Sequence, residues 1–292
     1  MFRLYIALPF VLCLSACGSS EEGAMEPEQP PISIPNYEPL FGSDATSLSP
    51  LSGSVVTARQ NAAQVRGVTG RLRHGGGKLV VDDGLFKFAD NDGFNANGEA
   101  ENEGVVLRLV NPGGRYDHAS LYSMQYSVDG QAYSAVGAIG VATRIEDMPM
   151  TGTARYTGDA VYAYTNQAGT GFGGLGTYDA RVDFAGGTVD SVVTVSTAQN
   201  PFTRADVANP EFDRIDMRGL EIDGTAYFGT NMQLVSDNSV VQLTGANTTA
   251  QVEGHFYGAA RDSTGRIIPD EIAGEALLQG DEGNVILSFI GD

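Results

Sequence analysis

The chain has 292 residues, and its 36 acidic side chains outnumber its 17 basic ones, which gives a formal net charge of −19 at pH 7. This charge repels the phosphates of nucleic acids and anionic lipid headgroups, so we exclude both as electrostatically held partners. There are 38 glycines and no tryptophan, and Val, Thr and Tyr recur in short alternating runs. No segment combines helical apolar spacing with helix caps. The composition therefore predicts an all-β protein.

The first residues, MFRLYIALPFVLCLSAC, have the order of a secretory signal: one positive charge at Arg3, an apolar stretch over residues 4–14, then small residues. The apolar stretch is shorter than the roughly 20 residues that span a bilayer. The segment LSAC resembles the lipobox of bacterial lipoproteins, which implies cleavage after residue 16 and acylation of Cys17. The membrane is then a partner through this lipid anchor. A soluble secreted protein that happens to have a cysteine at the cleavage point is the alternative.

Removal of residues 1–16 leaves Cys17 as the only cysteine, because the other one is Cys13. A single lipidated cysteine allows no disulfide and no cysteine-based metal or redox site within one mature chain.

Composition divides the mature chain into three parts. Residues 17–64 begin with Cys17 and continue as a Pro-, Ser- and Glu-rich stretch without periodicity, which predicts a disordered tether. Residues 65–148 contain strand-like runs such as KLVVDDGLFKF and GVVLRLVN, which predict a first β-rich domain. Residues 149–292 contain cleaner and more closely spaced runs, and these predict a second β-domain.

The clearest strand of the last part is TYDARVDF, where apolar Tyr178, Ala180 and Val182 alternate with polar residues. Eight or nine such runs joined by short turns fit either a closed up-and-down barrel or a sandwich. The other runs are 153–157, 188–196, 215–222, 225–229, 240–243, 252–257, 271–278 and 285–290.

Three segments of this part carry a family resemblance: MPMTGTARYTGDA (148–160), YDARVDFAGGTV (178–189), and GHFYG (254–258) followed by DEIAGEAL (270–277). They resemble, in order, landmarks of the transferrin-binding protein B-like surface lipoproteins of Gram-negative bacteria. The resemblance implies a C-terminal eight-stranded antiparallel β-barrel over 149–292, preceded by a smaller strand-rich handle-like domain over 65–148. It also implies a lipid-anchored protein at the outer membrane, displayed on the cell surface.

The sequence also departs from the family pattern. The segment AARDSTGRIIP (259–269) lies between GHFYG and the following Glu-x-x-Gly, which predicts a longer connecting hairpin. The chain has room for one handle-barrel lobe rather than two, so it is more similar to the single-lobe, transferrin-binding protein-like solute-binding proteins. No ligand-contacting loop of the family matches here, so the resemblance does not identify transferrin as the ligand.

Motifs for metal or cofactor binding are weak. His74, His118 and His255 are far apart and form no ligand pair, which favours ordinary surface or strand histidines. The acidic run 82–104 offers oxygen ligands for weak calcium binding, but its spacing breaks the EF-hand register and favours a solvated loop. GTGFGG (169–174) matches a dinucleotide-binding pattern without its strand-to-helix context, so a barrel turn explains it better. We therefore predict no metal and no cofactor.

No catalytic motif was found, and the sequence predicts a non-enzymatic protein. The predicted function is binding of a macromolecule or a nutrient-carrying ligand through loops of the handle and barrel, with the binding residues unknown. A structural or adhesive envelope lipoprotein without a defined ligand, and a membrane-spanning barrel, are the alternatives. Tyr122, Tyr126 and Tyr133 either line an interface or pack between strands. Gly18, directly after Cys17, agrees with sorting to the outer membrane.

Overall fold

The alternating runs in the first part of the chain form one antiparallel sheet of eight strands in a computed structural model. The structure describes residues 37, 39–40, 48–59, 62–73, 78–83, 86–90, 99–110, 114–166, 171–200, 203, 205–208, 210–243 and 248–292. The strands of this first sheet are β1 (Leu48–Arg59), β2 (Ala62–Arg73), β3 (Lys78–Asp82), β4 (Lys87–Asp90), β5 (Glu99–Asn102), β6 (Val105–Val110), β7 (Ala119–Val128) and β8 (Gln131–Gly140). Their order across the sheet is β4-β3-β2-β1-β8-β7-β6-β5.

The first strand lies inside the stretch that the sequence assigned to the tether. β1 pairs with β2 on one side and with β8 on the other, so it is a central strand of the sheet. The predicted tether over 17–64 is therefore wrong from Leu48 onwards. The run LSGSVVTA shows no clear alternation of apolar and polar residues. Small residues that are not apolar, such as Gly53 and Ser54, occupy positions that are buried in the folded protein.

The first sheet curls so that its two edge strands meet. The Asn102 side-chain amide, on β5, donates a hydrogen bond to the Ala89 carbonyl, on β4. Curling encloses a core of its own, because each strand turns every second side chain inward. Its buried members include Leu51, Val55, Val81, Phe88, Leu107, Tyr122, Met124 and Tyr126.

A 3-10 helix, Ile145–Asp147, lies in the connection to the second sheet. The strands of this sheet are β9 (Thr153–Asn166), β10 (Gly171–Asp183), β11 (Thr188–Val195), β12 (Arg214–Asp223), β13 (Ala226–Gly229), β14 (Met232–Ser236), β15 (Ser239–Val241), β16 (Thr249–Tyr257), β19 (Glu271–Gly280) and β20 (Gly283–Gly291). A separate small hairpin joins β17 (Ala260–Arg261) and β18 (Ile267–Ile268).

Pairing of β11 with β12 closes the second sheet into a ring. The ring runs β11-β10-β9-β20-β19-β16-β13-β12 and returns to β11, which makes an eight-stranded antiparallel barrel. β14 continues the course of β13 along β12, and β15 pairs with β14. The predicted all-β fold with a C-terminal eight-stranded barrel is confirmed, and the sandwich interpretation is wrong because no open edge separates two layers.

The barrel is filled by the apolar side chains of its strands. Tyr178 and Phe289 stack with ring centroids 4.7 Å apart, and Phe256 packs against Tyr227 at 5.4 Å. Phe212, from the segment before β12, is also fully buried in this core. The apolar sets identified by alternation therefore point into the barrel.

Most strands of the barrel were visible in the sequence, with one omission. Each predicted run overlaps a strand, whereas β14 was missed because its pattern, MQLVS, is short and follows β13 after only two residues. Gly171 to Gly174 of the glycine-rich segment lie in β10, paired with β9, and not in a turn. The intervening segment 259–269 carries the β17–β18 hairpin, as its length predicted.

The repeated glycines of GHFYG and EIAG have a direct structural reason. Gly254 of β16 and Gly274 of β19 are paired opposite each other. A Cβ added at Gly254 would lie 2.2 Å from the Tyr227 hydroxyl, and one at Gly274 would lie 2.4 Å from the Glu253 carbonyl oxygen. Both positions therefore require glycine because side chain and backbone already occupy the space.

No α-helix occurs among the described residues, and within them no helix is long and apolar enough to cross a membrane.

We expect Gly274→Ala to destabilise the protein by about 1–3 kcal/mol, because the new methyl group overlaps a backbone oxygen that cannot move without disturbing β16. Urea unfolding followed by circular dichroism measures this change. Thr177→Ala, at an exposed position of β10, is the matched control and should cost less than about 1 kcal/mol. Equal unfolding midpoints for the two variants would contradict the close approach of the β16 backbone to Gly274.

Candidate functional site

The outer face of the barrel is covered in part by the first sheet, and the chemistry of the molecule concentrates at this junction. On β16, β19 and β20 the residues facing the barrel core alternate with residues facing outward. Strand register places Glu253, Glu275 and Ser288 side by side in one outward row, which Val161 of β9 completes. The row starts polar and ends apolar.

Glu271, at the start of β19, fastens the first sheet to the barrel. Its carboxylate accepts hydrogen bonds from the backbone N–H groups of Asp117 at 2.5 Å, His118 at 3.0 Å and Ala119 at 2.8 Å. Burial raises the pKa of Glu271 to about 7, although the backbone donors at His118 and Asp117 oppose this shift. Glu271 thus accepts hydrogen bonds from the first amide of β7 and from the two amides before it, although its carboxyl group is desolvated.

Glu275 lies four residues further along the same strand, on the same face, and is completely buried. The Ala138 N–H of β8 donates to its Oε2 at 3.1 Å. Its Oε1 is buried without a hydrogen-bond partner among the described residues. Burial raises the pKa of Glu275 well above its usual range. Beside it, Ser54 of β1 donates to the Glu253 carbonyl at 3.1 Å, which adds a second polar link between the sheets.

Apolar contacts hold the rest of the junction. Tyr116, Leu121 and Ala138 of the first half pack with Tyr257, Ala273 and Ile290 of the barrel. Tyr116 also donates a hydrogen bond to the Asp159 carboxylate at 2.8 Å. A smaller group joins Val56 to Leu277. The junction is thus a packed interface with a few buried polar links.

An apolar cleft remains where the first sheet leaves the barrel surface. It has a volume of about 370 Å³ and opens between strands β1, β6, β7 and β8 on one side and β9 and β20 on the other. Its principal apolar walls are Val56, Val110, Leu121, Val136, Val161 and Ile286. The hydroxyl-bearing residues that line it are Ser123, Ser134, Ser288, Tyr122 and Tyr162, and no charged residue lines it.

The cleft has a mouth and a buried part that includes Val56, Tyr122 and Ser288, which we call its deep end. Ser288 is only 5% exposed, and its hydroxyl has no hydrogen-bond partner among the described residues. Val161 and Val110 are 41% and 37% exposed and mark the mouth. A buried hydroxyl without a partner is costly, so the deep end is suited to a polar group supplied from outside.

The histidines form no metal site in the described part of the chain. His118 Nε2 lies 3.5 Å from an Asp270 carboxylate oxygen, and His255 Nε2 lies 3.8 Å from a Glu253 oxygen. No group of three metal-ligating side chains occurs among the described residues. His74 and Cys17 lie outside them.

The acidic run 82–104 is described only in part, and Asp83 within it has a structural role. Its carboxylate is fully buried, accepting hydrogen bonds from the Tyr126 hydroxyl at 2.6 Å and the Phe86 amide at 2.7 Å. These bonds use both oxygens of the group. Asp92 and Phe94, which break the calcium-loop register, lie outside the described residues.

Of the two interpretations for the tyrosines, core packing applies to Tyr122 and Tyr126, which are 2% and 5% exposed. Tyr133 stacks on Tyr126 with ring centroids 5.6 Å apart. Both side chains belong to the core enclosed by the curled first sheet, and Tyr122 also borders the cleft. Sequence reasoning missed Ser54, Ser288 and Ala138, since they are far apart in the chain and belong to no motif.

The fold defines the class of protein, and comparison with known families agrees with it. Residues 148–284 match the family described as the C-lobe and N-lobe beta barrels of Tf-binding protein B. Residues 148–284 are therefore similar to the barrels of transferrin-binding protein B, and the resemblance seen in the sequence is confirmed over this part of the chain.

Several solved structures are similar to the chain at low identity. A mutant of Transferrin Binding Protein B from Haemophilus parasuis Hp5 is 16% identical, with 83% of this chain and 44% of that chain covered and a TM-score of 0.48. The isotype 1 protein from serogroup B Neisseria meningitidis is 16% identical, with 83% and 43% covered and a TM-score of 0.47. The chain thus spans less than half the length of these two structures.

A third structure, the haemoglobin receptor HpuA from Kingella denitrificans, is 12% identical, with 88% of this chain and 94% of that chain covered and a TM-score of 0.41. A search of curated proteins found no match.

We expect the free energy of unfolding to fall as the pH rises from about 4.5 to about 7, because the folded state holds the Glu271 proton more tightly than the unfolded state does. In the wild-type protein the free energy of unfolding should therefore be lower at pH 8 than at pH 5. Glu271→Gln, which keeps one acceptor oxygen, should make this difference smaller by about 1–3 kcal/mol. Urea unfolding at the two pH values measures it.

Glu282→Gln, on the exposed turn between β19 and β20, controls for the removal of one carboxylate. The free energy of unfolding of Glu271→Gln should still fall somewhat with rising pH, because burial also raises the pKa of Glu275. If Glu271→Gln and Glu282→Gln have the same pH dependence, the buried carboxyl of Glu271 is not its source.

Proposed function

We propose that the protein is a non-enzymatic lipoprotein of the outer membrane surface that binds a macromolecule or a nutrient-carrying ligand through loops of the first sheet and the barrel. The observation that carries this proposal is the match of residues 148–284 to the barrels of a protein named for binding transferrin. A proposal from a family match concerns the kind of activity and leaves the ligand open.

The construction of the barrel supports binding on the outside. Its interior is packed with aromatic and aliphatic side chains of the described residues, among them Tyr178, Phe256 and Phe289. Loops and outer surfaces are then the parts that remain for recognition, as is common where a rigid β-scaffold carries variable connections. The net charge of −19 favours a partner with a basic surface.

The proposed anchor is Cys17, with residues 1–16 as the signal peptide and the following residues, up to β1, as a tether. Two or three acyl chains on one residue hold a protein stably on a membrane, because each buried methylene contributes about 0.8 kcal/mol. In the proposed division, residues 65–148 form a handle-like domain and residues 149–292 the barrel domain.

We expect protease added to intact cells to cut the full chain while a periplasmic control protein survives, because the proposed tether holds the folded body outside the outer membrane. Cys17→Ala is the comparison, since a chain without the acylated cysteine should not remain with the membrane fraction. Immunoblotting of the cells and the medium measures both results.

If the protein resists protease until the outer membrane is opened, surface capture is wrong, and a periplasmic binding or envelope role takes its place. Where surface display is found, capture of a partner by the chain 18–292 tests ligand binding. A saturable single partner supports the binding proposal, whereas loss of envelope integrity on deletion, without any partner, supports the structural or adhesive alternative.

A further inference from the structure

We propose that the cleft between the first sheet and the barrel binds a neutral, single-chain hydrophobic molecule with a terminal hydroxyl group, of the class of long-chain alcohols. The chain of the ligand would lie against the valine and isoleucine walls, and its hydroxyl would reach Ser288 at the deep end. This inference goes beyond the proposed function and does not depend on surface display or on a macromolecular partner.

The walls of the cleft specify an apolar ligand body. Val56 and Val136 of the first sheet face Ile286 of the barrel across the cleft, and Val161 and Val110 extend the same surface to the mouth. The volume of about 370 Å³ is at the lower end of the range for small-molecule pockets. Covering such walls stabilises a complex by about 25 cal/mol for each Å² of apolar surface removed from water.

The hydroxyl groups specify the polar end. Ser288 is a cross-strand neighbour of Glu275, and both side chains point outward from the barrel. The Ser288 hydroxyl and Glu275 Oε1 are buried, and neither has a hydrogen-bond partner among the described residues. Side chains at such paired positions have Cβ atoms about 5 Å apart. One ligand hydroxyl both donates and accepts, so a single group can serve this position.

Charge complementarity excludes the ionised relatives of such a ligand. No basic side chain lines the cleft to receive a carboxylate or a phosphate, and the net charge of −19 repels both. An ammonium group would also lose its hydration at apolar walls without a carboxylate lining them. A neutral ligand avoids both costs.

Because the chain has no tryptophan, a single introduced tryptophan can report on this site by its fluorescence. Val161→Trp places a single indole at the mouth of the cleft, at a position exposed enough to accept it. Leu175→Trp is the matched control, because Leu175 is the exposed cross-strand partner of Val161 on β10 but does not line the cleft. The chain 18–292 is used for both, since it retains the compact unit Ile34–Asp292 and has no acyl chain of its own.

We expect 1-decanol to shift the emission of Val161→Trp saturably to shorter wavelength and to leave Leu175→Trp unchanged. Decyl methyl ether, which cannot donate a hydrogen bond, should bind about fivefold more weakly, since one hydrogen bond contributes about 1 kcal/mol. Decanoate at pH 8 should not saturate the signal. Equal shifts in both reporters, or no saturation with decanol, would overturn the proposal.

Ser288→Ala, made in the Val161→Trp background, separates recognition from mere partition into an apolar surface. We expect the alcohol and the ether each to bind about fivefold more weakly, because the Ser288 hydroxyl can donate to the oxygen of either ligand and one hydrogen bond contributes about 1 kcal/mol. Unaltered affinity for both ligands would overturn the role of Ser288. Emission of the free reporter that depends on protein concentration would show that a second copy covers the cleft, which also overturns the proposal.

Discussion

Burial of β19 on both faces is the constraint on which the rest of the structure depends. Its inner face contributes Ile272 and Ala276 to the barrel core, while its outer face lies under the first sheet. A strand in a closed barrel ordinarily keeps one face in water. Here eight consecutive residues of β19, from Glu271 on, are buried, so every outward side chain must find a partner in the covering sheet.

Two outward glutamates on this strand find their partners in the covering sheet in different ways. Glu271 accepts hydrogen bonds from three backbone amides, whereas Glu275 accepts one from a backbone amide, that of Ala138. Burying a carboxyl group is unfavourable unless hydrogen bonds or protonation compensate, and here burial raises the pKa of both groups. The difference in hydrogen bonding assigns them different roles: Glu271 fastens the sheets, and Glu275 leaves a polar position next to the cleft.

The alternation of side chains made much of the fold predictable. TYDARVDF and GHFYG read as strands because one face of each is apolar, and both became barrel strands. The pattern failed where both faces are buried or where a strand is short. β1 was taken for tether because serine and glycine interrupt its apolar set, and β14 was missed because it is only five residues long.

The sequence by itself determined an all-β chain and most of the strands of its C-terminal half, because strand periodicity and glycine placement are local features. Only the tertiary structure decided which outward faces are covered. Ser288 and Val136 are separated by 152 positions in the chain, yet they line one cleft. Such a juxtaposition depends on how one sheet packs against another, and no local pattern encodes it.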